Sequence, residues 1–161
     1  MLKSNPPKNS RLSLRLALMG VGNDLKADDA AGLLAIRALK TRLGDSPDIL
    51  LLEGATAPEN FTGTIRRFDP DLVILIDAAH MGEKPGVIRW IEAQEVDGFS
   101  ASSHVQPLSI LAKYLIEDIH TQVLILGIQA GNLEWGEEVS EEVKSAAQEV
   151  TEILDIIKNR D

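Results

Sequence analysis

Short apolar runs alternate with stretches of helical apolar periodicity along most of the chain, and this alternation predicts strands and helices in turn. The apolar runs predict strands over residues 12–20, 49–52, 72–76, 87–91 and 123–126. Apolar residues spaced three and four apart predict helices over residues 28–43, 58–67, 107–119 and 139–157. Residues 95–103 show no strong period and are predicted to be irregular.

Glycine and proline mark the ends of several predicted elements. Gly44, followed by Pro47, ends the first predicted helix. Pro58 is well placed in the first turn of the second. The stretch from Ala78 to Gly86 contains further breakers and predicts a loop.

Strands that alternate with helices predict an α/β fold, in which a sheet is covered by helices on both faces. We expect a three-layer sandwich with a twisted, mainly parallel five-stranded sheet and one antiparallel edge strand. Right-handed crossovers place the first and third strands side by side, with the second strand outside the first. Asp29 and Asp77 then lie at the carboxyl ends of two neighbouring strands, where ligands bind in open α/β sheets.

Composition narrows the class of protein. The chain of 161 residues fits one domain, has no cysteine and carries a net charge of −9. An acidic body disfavours nucleic-acid binding, and the absence of cysteine excludes disulfides and thiolate chemistry. We expect a flexible basic extension over residues 1–11 and a single domain over residues 12–161. The absence of a long apolar run or heptad seam favours a cytoplasmic monomer without membrane insertion.

The glycines at the end of the first strand allow a nucleotide-binding interpretation. Gly20 and Gly22 match the start of a dinucleotide fingerprint, but Leu25 occupies the position of the third glycine. Such a pair of glycines is weak support for a nucleotide-binding oxidoreductase, which remains an alternative. We favour a sharp turn that places Asp29 opposite Asp77.

The carboxylates and histidines each have an ordinary structural explanation. Asp28 and Asp29 suit a helix start, and we expect Asp28 to cap the helix. Asp77 alone could end a strand, and His104 alone could be a solvated loop histidine, as could His80 and His120. Two carboxylates and an imidazole together form a ligand set for a divalent metal with open positions. Such a metal could support amide hydrolysis, for which no serine elbow, cysteine or zinc-protease motif is present.

Ordered sequence blocks lie at residues 20–23 with 28–32, 53–60, 76–82 with 85–86, and 126–129, with His104 ahead of a leucine-rich helix. Together, over about residues 14–158, these blocks resemble the nickel–iron hydrogenase maturation endopeptidases. The similarity is greatest to the branch that processes formate-hydrogenlyase-type hydrogenases.

The resemblance implies an endopeptidase that removes a C-terminal extension from the nickel-loaded large-subunit precursor. It assigns Asp29, Asp77 and His104 as catalytic, metal-contacting residues. The implied metal is nickel carried by the substrate, or another divalent ion, with no organic cofactor. The resemblance assigns substrate recognition to Glu53, Gly54 and Thr56, in the block at residues 53–60. A non-catalytic nickel-sensing chaperone for the same precursor remains a second alternative.

Two positions depart from the family pattern. Ala27 stands where many relatives have glycine before the acidic pair, and Glu53 stands where they usually have aspartate. The second change bears on substrate selection or on the geometry of that turn, and it affects the choice of branch rather than the reaction.

Overall fold

The centre of the molecule is a five-stranded sheet with the strand order β2-β1-β3-β5-β4. The computed structural model describes residues 13–99, 101 and 107–158. The predicted extension over residues 1–11 and His104 lie outside these ranges. The strands are β1 (Leu16–Val21), β2 (Ile49–Ala55), β3 (Leu72–Ala79), β4 (Ile88–Ile91) and β5 (Gln122–Gln129).

Helices cover both faces of this sheet, because each strand of the interior carries apolar side chains in both directions. One core packs α1 and α5 against the sheet, and the second packs α2 and α4 against the opposite face. The helices are α1 (Ala31–Leu43), α2 (Thr62–Phe68), α3 (Val96–Phe99), α4 (Leu108–Asp118) and α5 (Glu141–Lys158).

The predicted fold class and the predicted order of the first three strands are confirmed. β1 pairs in parallel with β2 on one side and with β3 on the other. β4 is the antiparallel edge strand, paired with β5. Among the described residues, no helix is long and apolar enough to cross a membrane.

Several predicted boundaries were wrong. β1 begins at Leu16 rather than at residue 12, and β3 continues through Asp77 to Ala79, so the following loop begins at His80 rather than at Ala78. The strand is longer than its apolar run because Asp77 and Ala79 still pair with β5. Pairing with a neighbour, rather than hydrophobicity, decides where a strand ends.

Helix boundaries differ for similar reasons. The first helix begins with a separate 3-10 turn over Ala27–Ala30, and the last begins at Glu141 rather than at Val139. Val96–Phe99 forms the short helix α3 where the sequence predicted irregular chain. A helix of four residues is too short to show a period.

Candidate active site at the carboxyl edge of the sheet

Asp77 lies near the carboxyl end of the central strand β3. Its side chain is only 3% exposed, and its Cα pairs with Gly127 of β5. The preceding residue, Ile76, pairs with Gly20 of β1. Pairing of Asp77 with β5 and of the residue before it with β1 therefore fixes the backbone of Asp77. A site built on rigid elements such as these strands holds its side chains precisely.

Asp29 belongs to the 3-10 turn over Ala27–Ala30 and is also 3% exposed. Gly22 has φ +144°, and a Cβ placed there would lie 1.8 Å from the carbonyl oxygen of Asp29. Asn23 N–H donates to the same oxygen at 3.3 Å. The chain after β1 thus folds directly onto the turn that carries Asp29, and only glycine permits the approach at Gly22.

The start of α1 packs against the sheet with almost no space between the backbones. A Cβ on Gly32 would lie 2.2 Å from the carbonyl oxygen of Ile76, and one on Gly20 would lie 2.2 Å from that of Gly32. Because Ile76 directly precedes Asp77, this packing brings the turn bearing Asp29 to the end of β3. The 3-10 turn accordingly contacts β3.

The structure describes two of the three predicted ligands. Asp29 and Asp77 are both brought to this edge, whereas His104 falls outside the described residues. Among the described residues, no group of three or more potential metal-ligating side chains occurs. The two carboxylates offer hard oxygen donors, which suit a divalent cation as part of a mixed oxygen and nitrogen ligand set.

The prediction that Asp28 caps its own helix was wrong. Its buried carboxylate accepts hydrogen bonds from the N–H groups of Gly131 (2.8 Å), Asn132 (2.9 Å) and Ser140 (2.7 Å). It also accepts one from Ser140 Oγ at 3.0 Å. Burial raises the pKa of Asp28, but these hydrogen bonds outweigh it and hold the pKa below its usual range. Asp28 therefore anchors the β5–α5 loop, a role set by residues more than a hundred positions away.

The residues assigned to substrate recognition end β2 and begin the turn after it. The carboxylate of Glu53 accepts hydrogen bonds from Arg37 Nε at 2.7 Å and from Lys40 Nζ at 2.9 Å. A Cβ on Gly54 would lie 2.8 Å from Met19 Sδ, and Thr56 is exposed. Thr56 is thus available to a substrate, whereas Glu53 is held by cations of α1.

Gln129, the last residue of the matched block at 126–129, has a structural role that the sequence did not predict. Its side-chain oxygen accepts the N–H groups of Met81 (2.7 Å) and Glu83 (3.3 Å), and its amide nitrogen donates to Ala130 O at 2.9 Å. The side chain is 6% exposed. Gln129 thereby fixes the loop that follows Asp77. The sequence feature that could have indicated this role is a polar residue at the end of an apolar strand.

Ala27, the first of the two departures from the family pattern, has a left-handed backbone. Its φ is +47°, and its side chain is fully buried. This conformation costs an L-residue with a Cβ roughly 1–2 kcal/mol, so it explains why glycine suits the position. The strain lies two residues before Asp29.

Comparison with known proteins gives concordant matches. A family model described as hydrogenase maturation protease matches residues 34–156. A Methanocaldococcus jannaschii protein named for that activity is 33% identical over 151 residues, covering 89% of each chain. The hydrogenase 3 maturation protease of Escherichia coli is 33% identical over 139 residues, covering 86% of this chain and 87% of that protein. The crystal structure of a nickel–iron hydrogenase maturation protease from Thermococcus kodakarensis aligns with a TM-score of 0.82 at 36% identity, covering 92% of this chain and 95% of that one.

Proposed function

The chain belongs to the hydrogenase maturation protease family, and we propose that it removes a C-terminal extension from the nickel-loaded large-subunit precursor of a nickel–iron hydrogenase. Family membership makes it a peptidase. The observation that supports the site is the pair of buried carboxylates, Asp77 near the carboxyl end of β3 and Asp29 in the 3-10 turn that packs against that strand. Together with His104, they are the residues we assign to the reaction.

Peptide hydrolysis defines what these side chains have to do. Water adds its oxygen to the scissile carbonyl carbon, the C–N bond breaks, and the leaving nitrogen takes up a proton. A carboxylate placed beside the water can accept its proton, and an acid placed beside the nitrogen can supply one. Asp29 and Asp77 are the buried carboxylates at this edge that are suited to those transfers.

Nickel enters this proposal as part of the substrate. The precursor's own ligands hold the metal, and Asp29, Asp77 and His104 recognise it by offering oxygen and nitrogen donors. Carboxylate and imidazole lack the soft thiolate character that would strip the metal from a sulfur-rich site. Recognition of this kind would delay cleavage until the metal has been inserted.

The test is a cleavage assay with the purified full-length protein and the large-subunit precursor, with and without nickel. Mass spectrometry should detect release of the C-terminal peptide only from the nickel-loaded precursor. Asp29→Asn, Asp77→Asn and His104→Ala should each slow cleavage by about a hundredfold or more, the range for loss of an acid–base group. The circular dichroism spectra of the three variants should match that of the wild-type protein.

Two outcomes would contradict parts of the proposal. Cleavage of the nickel-free precursor at the same rate would contradict nickel recognition but would still support peptidase activity. Tight nickel-dependent binding without cleavage would favour a nickel-sensing chaperone instead. As a control, Glu149→Gln changes an exposed carboxylate on α5 and should leave cleavage unchanged.

A further inference from the structure

Two large apolar side chains are exposed close to the turn that carries Asp29. Leu25 is 68% exposed and Trp135 is 64% exposed. A single exposed apolar residue is ordinary on a protein surface, but two of them on hydrogen-bonded neighbouring segments, one a tryptophan, are typical of a protein interaction site. We call the surface formed by Leu25, Lys26 and Trp135 the Trp135 platform.

The members of the Trp135 platform are held against one another although they come from distant parts of the chain. Gly136 N–H donates to the carbonyl oxygen of Leu25 at 2.8 Å. Lys26 Nζ lies 5.7 Å from the centroid of the Trp135 ring, within reach of a cation–π interaction. Leu25 N–H also donates to Asn23 Oδ1 at 2.9 Å. The platform is therefore ordered before any partner arrives.

Trp135 sits in a hydrogen-bonded turn that presents its ring outward. Glu137 N–H donates to the carbonyl oxygen of Glu134 at 3.4 Å, and Gly136 has φ +76°. A residue with φ above zero in the third position is the requirement of a type II turn. The backbone of Trp135 therefore needs little further ordering on binding, which lowers the entropic cost of association.

Asp28 connects the Trp135 platform to the candidate active site. Its carboxylate holds both ends of the loop, at Gly131 and Asn132 on one side and at Ser140 on the other. The next residue along the chain is Asp29. A partner bound on the platform would thus be positioned relative to the predicted reaction site through one buried side chain.

The charges around the Trp135 platform indicate the chemistry of its partner. Glu134, Glu137 and Glu138 are exposed on the same loop, whereas Lys26 is the one cation of the platform itself. Asp24, the acid before Leu25, is already paired with Arg37 at 2.7 Å. The rim is therefore negative overall and complements a positively charged segment.

We propose that the Trp135 platform docks a basic segment of the large-subunit precursor, with an apolar side chain of that segment packed on Leu25 and Trp135. This inference rests on the proposed function, since it takes the precursor as the partner. The contact lies away from the scissile bond and is made equally in the bound substrate and in the transition state, and uniform binding of this kind lowers KM without changing kcat.

Steady-state kinetics with the nickel-loaded precursor test the proposal, together with Kd for the same precursor. Leu25→Ser and Trp135→Ser should each raise KM and Kd about tenfold or more, as expected of interface anchors, and leave kcat within about twofold. Trp135→Phe should retain most of the affinity. Ile156→Ser is the matched control, because Ile156 is 57% exposed near the far end of α5, and it should change nothing.

A second set of variants tests the charge of the partner. Replacing Glu134, Glu137 and Glu138 together by Lys should raise KM and Kd and reverse their dependence on salt, because salt then screens repulsion instead of attraction. Tighter binding by this variant would overturn the proposal that the partner segment is basic. Unchanged KM and Kd in Leu25→Ser and Trp135→Ser would overturn the platform itself.

These outcomes are separable from those of the proposed function. If the wild-type protein cleaves the precursor but the platform variants match it, only the docking surface is wrong. If the wild-type protein does not cleave, the proposed function fails, and the Kd series still supports or overturns the platform.

Discussion

Gly22 is the residue on which the position of Asp29 depends most directly. Its φ of +144° lies in a region that L side chains rarely adopt, and the space for a Cβ is filled by the Asp29 backbone. The glycines that first suggest a nucleotide-binding loop are therefore used for close packing of the turn onto β1.

We predict that Gly22→Ala costs at least about 2 kcal/mol of unfolding free energy, because it adds a steric clash to backbone strain. Precursor cleavage should fall with it, since Asp29 must move. Gly82→Ala is the control: Gly82 has φ +72° but nothing within 4 Å of its Cβ position, so strain alone should cost about 1 kcal/mol. Urea unfolding measures both. Equal losses in the two variants would contradict the clash.

Asp28 shows how one buried carboxylate can fix a distant loop. We predict that Asp28→Ala destabilises the protein by about 3 kcal/mol, because several N–H and O–H donors lose their acceptor. Ser140→Ala removes only the hydroxyl contact and should cost about 1 kcal/mol. Urea unfolding of both variants provides the comparison. If Asp28→Ala lowers the free energy of unfolding no more than Ser140→Ala does, the loop is held by other contacts.

At the scale of elements, β5 fixes the loop that follows the strand bearing Asp77. Gln129 lies at the end of β5 and accepts N–H groups of Met81 and Glu83. Its backbone also bonds with Gly86 N–H and with Val87 O. The loop geometry is thus a property of the β3–β5 pair rather than of the loop's own sequence.

We predict that Gln129→Leu frees the loop after β3 while leaving the sheet intact. The amide of Met81 should exchange with solvent faster by about tenfold or more, the factor for losing a hydrogen bond of about 1.4 kcal/mol. Gln122→Leu, at the exposed start of the same strand, is the control. Hydrogen exchange followed by mass spectrometry gives the rates. Unchanged exchange at Met81 in Gln129→Leu would refute this role for the side chain.

At the scale of the whole molecule, a charged network ties together three separate elements. Arg37 of α1 makes two 2.7 Å contacts to Asp24, after β1, and one to Glu53, at the end of β2. The Arg37 guanidinium holds the pKa of Asp24 below its usual value. The Lys40 ammonium, together with Arg37, does the same for the pKa of Glu53. Both carboxylates therefore favour the folded state when they are ionised.

The sign of the pH dependence follows from these lowered pKa values. The network's contribution should be fully present above about pH 5 and be lost as the pH falls through the folded-state values. Because these side chains are 32–50% exposed, we expect it to be no more than about 1 kcal/mol. Arg37→Met should therefore lower the unfolding free energy at pH 7 but little at acidic pH, and high salt should shrink the difference.

Urea unfolding as a function of pH measures this contribution. Arg89→Met provides the control, because Arg89 makes one exposed ion pair with Glu83 at 3.2 Å. A stability difference between Arg37→Met and the wild type that stays constant as the pH falls would show that Arg37 acts through packing and not through charge.

The amino-acid sequence by itself determined the alternation of elements, the order of the first three strands and the meeting of Asp29 and Asp77 at one edge of the sheet. These follow from apolar periodicity and the handedness of crossovers, which are local or general rules. The tertiary structure decided that Asp28 anchors a loop, that Gln129 fixes another and that the Leu25 carbonyl accepts the N–H of Gly136, next to Trp135. Each of these depends on contacts between residues far apart in the chain, such as the 112 positions between Asp28 and Ser140. No local pattern encodes such pairs, because their partners become neighbours only once the sheet and helices have packed.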